Sequence, residues 1–469
     1  MFPLRVAVEA PIPSADAQNL IRIVQHTLDD INEFPAHQLR LLLADSPLLA
    51  NATQQVVSDG TGIRSNDDDV ALVLRLIPVE TGDTPRSQLQ PYAPKLDIYY
   101  SPSQAPTQSS TNSPLAAFIA QQLHGLFAEE QAQLGHLLAS SPGADTAVTK
   151  PISAEVMAGL ERQSTRALKY APTYHLTFSL FTPSYTPSAW DIETALRTCL
   201  SPLLESFSAI SNFTIDTQVQ LYATFSPSTH QPEYNEGLNA WTLRKEDLSG
   251  FVNAAEWPLS PSIGEGPTVN FVLYVPDQKQ SPLLVKENAG NSWLVPQWGG
   301  VHILNHQTSD VLTADALAPA MHTFSDQLIA LFGLPQAPAS LPLRISTLER
   351  VRAASLIIST SSTLGALAQV YQKLPSIPVP DNVAQSVDLS IARLHRACGY
   401  LRDGRFQGAL EEARVAQVEA EKAFFERSMV GQVYFPDEHK VAVYLPLLGP
   451  VAVPLVMAAL KELKSALKR

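Results

Sequence analysis

Apolar positions along this chain follow strand and helix rhythms in turn up to about residue 340, and a helix rhythm alone after it. Over 15–43 the spacing of Leu20, Ile23, Val24, Leu28 and Ile31 is that of one helix face, and it predicts a helix. A polar stretch at 58–69 precedes VALVLRLI (70–77), an apolar run of strand length, and 96–100 is a second short strand. SPSQAPTQSSTNSP (101–114) holds no core-forming residue and reads as a low-complexity loop, after which 114–138 returns to helical spacing. The segments 174–181 and 213–225 alternate as strands, the second through Ile215, Val219 and Leu221, with helical spacing at 190–207 between them. A strand at 269–275 ends at Pro276-Asp277. The stretch 287–300, with two Trp and three Gly, reads as loop, followed by a short strand at 301–304 and a helix at 314–332.

Beyond residue 345 the pattern predicts helices at 345–374, 382–401 and 405–427. Pro375, Pro378 and Pro380 mark the first junction, and Asp403-Gly404 the second turn. The expected fold is α/β, a mixed sheet flanked by helices over 1–340. An antiparallel helical section follows over 341–430, and then a C-terminal transmembrane helix at 441–460. No internal repeat of fixed period is visible.

That last segment, VAVYLPLLGPVAVPLVMAAL, is twenty residues without a charge. As a helix it is about 30 Å long, the thickness of a bilayer's hydrocarbon core. Its ten Val and Leu residues contribute about −3 to −6 kcal/mol on an insertion scale. Lys461, Lys464, Lys468 and Arg469 outnumber the single Glu462 in the tail at 461–469, and positive flanks stay cytosolic. Pro446, Pro450 and Pro454 pull the other way, each interior Pro costing a helix ~3 kcal/mol in water. Their spacing of four places the carbonyls freed at Ala442, Pro446 and Pro450 along one side, where a neighbouring helix or water must satisfy them. A buried helix of a soluble core is the competing reading.

Composition narrows the function classes. The chain of 469 residues is 45% hydrophobic and only 16% charged, which suits a folded body with extensive buried surface. A net charge of −13 argues against a nucleic-acid partner, which needs a basic footprint. Two cysteines, Cys199 and Cys398, are too few for a disulfide framework; the sequence leaves open one bridge between them, and buried free thiols are the plain expectation.

Catalytic and cofactor signatures are missing. There is no HExxH and no G-x-S-x-G, and Gly60-Thr61-Gly62 lacks the Lys-Ser/Thr of a phosphate loop. Asp67-Asp68-Asp69 cannot all converge on one metal ion, because neighbouring strand side chains point oppositely. Cys199 with His175 as base, and Cys398 beside His395 and Arg396, are the nucleophile candidates, and both thiols lie in apolar helical runs that favour inert burial. Trp293, Trp298, Gly299 and Gly300 form either a binding loop or a plug on the body. No catalytic, cofactor-binding or metal-binding residue is assigned, and no cofactor is expected.

Two acceptor sequons, Asn51-Ala-Thr53 and Asn212-Phe-Thr214, have meaning only in the secretory lumen. The opening MFPLRVAVEAPIPSADAQ contains no apolar run of signal or anchor length, so the chain taken alone reads as tail-anchored.

Several of these segments, in order, resemble the PIG-S family of GPI transamidase subunits. They are TYHLTFSLFTPS (173–184), WDIETALRTCLSPLLESFSAISNFTID (190–216), VNFVLYVP (269–276) with Trp298-Gly299-Gly300 beyond it, and YFPDEHKVAVYLPLLGPVAVPLV (434–456). The likeness is looser over the first 150 residues, through Glu9-Ala10-Pro11-Ile12-Pro13 and the helix after it. It implies a non-catalytic scaffold of the endoplasmic-reticulum complex that attaches GPI anchors to precursor proteins, with the body in the lumen. It implies a caspase-like subunit carrying the catalytic Cys/His, further accessory subunits and membrane lipid as partners, with direct contact to GPI or precursor left open. It also implies an N-terminal membrane helix just upstream of Met1, expected to be missing from this sequence. Asn212, and more weakly Asn51, are the expected glycan acceptors. The alternative of a different class is an unrecognised membrane-tethered lumenal hydrolase.

Overall fold

The computed structural model describes residues 2–44, 70–80, 84–139, 154–223, 230–244, 247–248, 266–305, 310–373, 379–429 and 437–467. Two compact units emerge: Met1–Arg352 with Gly404–Gln407, and Ala353–Asp403 with Gly408–Arg469.

The first unit holds two five-stranded sheets. The first is built from β1 (Phe2–Glu9), α1 (Ser14–Ile31), β2 (His37–Leu43), β3 (Val70–Pro78), β4 (Arg86–Leu89) and β5 (Lys95–Tyr100), followed by α2 (Pro114–Ala139) and α3 (Ala154–Arg166). Its strand order is β2-β1-β3-β5-β4, parallel except for the edge strand β4. Helix α1 covers it with Leu20, Ile23, Val24 and Leu28, the residues of the predicted face. The polar loop after β5 is held by Asn19, whose amide donates to the carbonyls of Thr107 (2.8 Å) and Ser110 (3.0 Å).

The second sheet begins with β6 (Thr173–Phe181) and the short β7 (Ala189–Trp190). A crossover follows: α4 (Ile192–Ala195), a π turn at Leu196–Leu200, and α5 (Ser201–Ser206). Then come β8 (Asn212–Gln220), β9 (Glu233–Asn235), β10 (Ala240–Leu243), β11 (Thr268–Tyr274), β12 (Leu283–Val285), β13 (Ser292–Val295), β14 (Gly299–Ile303), β15 (Val311–Leu312) and α6 (Ala314–Leu331). The order is β8-β6-β11-β14-β13, with only the edge strand β13 antiparallel.

The two sheets share one topology. In each, a strand crosses through a helix to a parallel neighbour, a third strand joins on the other side, an antiparallel edge strand precedes the fifth, and a long helix closes the set. The repeat has no fixed period because the second copy carries an inserted three-stranded sheet, β12-β10-β9. That insert covers one face of the second sheet through Leu243, Leu283, Val285, Val272, Val301 and Ile303, flanked by Trp241, Trp293 and Trp298. The opposite face is aromatic: Phe178 stacks on Phe271 (5.2 Å), Phe324 of α6 meets Phe271 (5.1 Å), and Phe332 packs on Tyr174, Phe207 and Phe213. Such pairs add about 0.5–1.5 kcal/mol each beyond the area they bury.

The helix α7 (Leu341–Lys373) starts in the first unit and continues into the second, which also holds α8 (Asp381–Asp403), most of α9 (Phe406–Phe424) and α10 (Asp437–Ala466). α8 and α9 run antiparallel, tied by Ser386 to Glu419, Ser390 to the Ala416 carbonyl (2.8 Å) and Arg393 to Glu412 (3.1 Å). Ala409, Ala413, Ala416, Ala420 and Ala423 form a buried stripe of methyl side chains, small enough for a neighbouring backbone to approach. The Asp403-Gly404 turn is formed, with Gly404 at φ +80°, where glycine alone is unstrained.

Three segments depart from the sequence pattern, the shortest being 221–223, expected as strand but lying past the end of β8 at Gln220. Residues 37–43, expected as helix, form β2: His37, Leu39 and Leu41 are buried alternately, and pairing with β1 outweighs the helical spacing upstream. The stretch 287–300, expected as loop, supplies β13 and the first residues of β14, a hairpin whose turn is closed by the Trp298 amide on the Val295 carbonyl (3.2 Å).

Candidate functional site

Asn212 opens β8 on the surface, and the period of two places Thr214 on the same face. Its backbone amide donates to the Pro172 carbonyl, while the Thr214 hydroxyl meets His175 Nδ1 at 2.5 Å. Asn51, Gly60-Thr61-Gly62 and Asp67-Asp68-Asp69 lie outside the described residues.

The nucleophile candidates do not assemble. Cys199 sits in the π turn of the crossover, on the sheet face that carries Tyr174 and Phe213 against Phe207. His175 alternates with Tyr174 in β6 and reaches Thr214 on the other face, so the sheet separates thiol from imidazole. Both cysteines are free thiols and half-buried rather than buried. Beside Cys398, Arg396 is turned toward Glu412 (3.6 Å). Among the described residues no group of three or more His, Cys, Asp or Glu is placed to hold a metal ion.

The Trp298-Gly299-Gly300 motif has a packing explanation. Gly299 lies at φ +153°, and a Cβ there would overlap the backbone carbonyl of Asn270 in β11. A Cβ on Gly300 would overlap the side-chain amide of Gln327 in α6, which donates to the Trp293 carbonyl (3.0 Å). The motif lets strand and helix close on the sheet, so a plug on the body, not a binding loop, is what it builds.

The feature that motif reading missed is a buried ionic cluster. Glu130 of α2 accepts from Arg350 Nε and Nη2 and from the Thr347 hydroxyl, all at 2.6 Å, with His37 Nε2 3.4 Å away. Burial pushes the Glu130 carboxyl up, but the Arg350 charge and its hydrogen bonds outweigh that and hold it well below the usual carboxylate range. Arg350 also lies over the Phe406 ring, 5.3 Å from its centroid. Its charges are fully matched within the body, so its chemistry is that of a clamp. The one available signal was the Glu129-Glu130 pair among the apolar residues of α2, one of which the helix must bury.

Among the described residues, two helices are long and apolar enough to cross a membrane. Leu341–Lys373 has mean hydropathy 1.3, and its first half is core, with Leu343, Leu348, Ala353 and Leu356 buried beside the paired Arg350. Ala442–Lys464 has mean hydropathy 2.0 and is wholly unburied, with Leu445, Val451 and Leu455 more than 60% exposed. At 23 residues it is about 35 Å long. Pro446, Pro450 and Pro454 all lie within the continuous helix.

Comparison with known proteins places these features in a family. The family model of phosphatidylinositol-glycan biosynthesis class S proteins (PIG-S) matches residues 1–469. The human protein named GPI-anchor transamidase component PIGS is 31% identical over 326 residues, 63% of this chain and 58% of that protein. The fission-yeast (Schizosaccharomyces pombe) protein named GPI transamidase component PIG-S homolog is 30% identical over 319 residues, 65% of this chain and 56% of its own. In Saccharomyces cerevisiae the protein named GPI transamidase component GPI17 is 29% identical over 325 residues, covering 63% and 58%. The matched region thus spans less than two thirds of the length of these relatives. With the family model covering the chain from end to end, this protein belongs to the PIG-S family.

Proposed function

We propose that the protein is a non-catalytic scaffold subunit of the GPI transamidase, holding a folded body on the lumenal side of the endoplasmic-reticulum membrane and supporting transfer of GPI anchors to precursor proteins. The observation that carries this reading is the full-length family match, whose relatives are named as components of that complex. The Cys199 thiol and the His175 ring, held apart by a sheet, support placing the catalytic Cys/His on a caspase-like partner subunit.

The body over 1–340 and the helical section over 341–430 are lumenal, the segment 441–460 spans the bilayer, and the basic residues of 461–469 face the cytosol. The unburied Ala442–Lys464 helix supports the spanning assignment. Asn212, exposed on β8, is the principal glycan acceptor, with Asn51 as the second.

Depletion of the protein in its own host tests the reading. Precursors that retain their C-terminal signal should accumulate, and surface GPI-anchored protein should fall. Normal anchor attachment in depleted cells contradicts it.

A further inference from the structure

The edge strand β8 is nine residues long, against a usual five or six, and pairs with β6 without a bulge. The Asn212 amide donates to Pro172 and the Gln220 carbonyl accepts from Thr182, so even-numbered residues of β8 bond to β6. Phe213, Ile215, Thr217 and Val219 therefore turn their backbone N–H and C=O groups outward, where they meet no partner among the described residues. Exposed edges are normally blunted by Pro, Lys or a bulge, and β8 has none of these.

A groove of about 620 Å³ runs beside this edge, between β8 and the α4–α5 crossover. Trp190, Ile192, Leu196, Ile215 and Thr217 line it, and Ile215 and Val219 are each 38% exposed on the face that elsewhere carries the aromatic core. Glu193 and Arg197 neutralise each other at 2.7 Å, which leaves Asp191 at the groove with no cation paired to it among the described residues. Asp216 adds a second exposed carboxylate on the other face of the strand.

We propose that β8 takes an extended segment of a partner protein as a sixth strand, with alternate apolar side chains in the groove and a Lys or Arg meeting Asp191 or Asp216. An open strand edge dictates an extended occupant, because only an extended backbone matches donors and acceptors repeating every second residue. The unmatched carboxylates select a basic one. A second copy of this chain fits less well. Asp216 is the central residue of the strand, so symmetric antiparallel pairing sets it opposite itself, and directly opposed like charges destabilise. A glycan on Asn212 projects from the face opposite the groove and leaves the docking side open. This inference stands apart from the transamidase assignment: its test reads binding by the isolated chain.

The test uses the full chain in detergent micelles and a fluorescein-labelled nonapeptide of alternating Val and Thr with one central Lys. Saturable binding is expected, with amide exchange slowed at Phe213, Ile215, Thr217 and Val219. A peptide with Glu in place of Lys should bind more weakly. Thr217→Pro removes one outward N–H without touching the β6 ladder and should weaken binding about tenfold. Should that variant fail to fold, N-methylation of the peptide's own alternate amides tests the same bonds and should abolish binding. No saturable binding, or equal binding by a folded Thr217→Pro chain or the N-methylated peptide, overturns the proposal. Self-association that Thr217→Pro removes assigns the edge to a second copy and also overturns it.

Discussion

Arg350 and Glu130 face each other as a two-pronged ion pair, both bonds 2.6 Å, with their side chains 3% and 2% exposed. The pair joins α2 to α7 inside the first unit, and Phe406, just past the Gly404 turn, lies against the guanidinium. Removing one partner strands a charge where water cannot reach it. Arg350→Met should therefore destabilise the body by about 3–5 kcal/mol, whereas Glu130→Leu combined with Arg350→Met should recover most of the loss. Chemical denaturation of the three proteins checks this. Equal stability of wild type and Arg350→Met contradicts it.

Burial pushes the His302 imidazole down from 6.5 to about 4. Its Nδ1 has no partner among the described residues, Nε2 lies 3.4 Å from the Asn291 amide, and Phe324 stands edge-on to the ring. Above pH 6.5 the ring is neutral folded and unfolded, so it adds no pH dependence. As pH falls from 6.5 toward 4 only the unfolded chain takes up the proton, and stability drops by about 3 kcal/mol in all. Glu130 acts lower. Its contribution is present above the ordinary 4.5 and is lost as pH falls below it. His302→Phe should flatten the slope between pH 6.5 and 5, measured by denaturant midpoint. An unchanged slope contradicts burial as its source.

Asn212→Gln should remove one N-glycan from the protein expressed in a glycosylating host. The side chain is exposed and carries no packing, so folding should change by less than about 0.5 kcal/mol. Gel mobility before and after glycosidase reads the outcome. Identical mobility of mutant and wild type contradicts lumenal exposure of β8.

Pro450 sits in the middle of the proline row of α10. Pro450→Leu restores an N–H for the carbonyl of Pro446 and removes one polar contact point on that side of the helix. The chain should stay in the membrane after alkaline carbonate extraction, while recovery of partner subunits falls about threefold, the scale of one interhelical contact. Full recovery of partners removes the assembly role of the stripe.

Where period and burial agreed, the fold was legible in the sequence. α1 buries the face that Leu20, Ile23, Val24 and Leu28 mark, and β6 and β11 follow their apolar runs. It was hidden where strands are short and pairing supplies the signal. β2 looks like a continuation of α1 until Phe2 pairs with His37, and β13 and β14 look like a Gly/Trp loop until the hairpin closes. The twofold recurrence of the sheet was hidden for another reason. β9, β10 and β12 are inserted only in the second copy, so no period survives in the chain. Of the candidate sites, the C-terminal helix declares itself by twenty uncharged residues. The Glu130 cluster does not, because His37, Glu130, Thr347 and Arg350 come from three distant segments.

Affinity purification of the full chain from membranes solubilised in mild detergent tests the scaffold assignment most directly. The caspase-like subunit with its Cys/His pair should be recovered in near-equal amount, and the isolated chain should show no transamidase or peptidase turnover. Recovery of the intact chain alone, or turnover by the purified chain itself, contradicts the account.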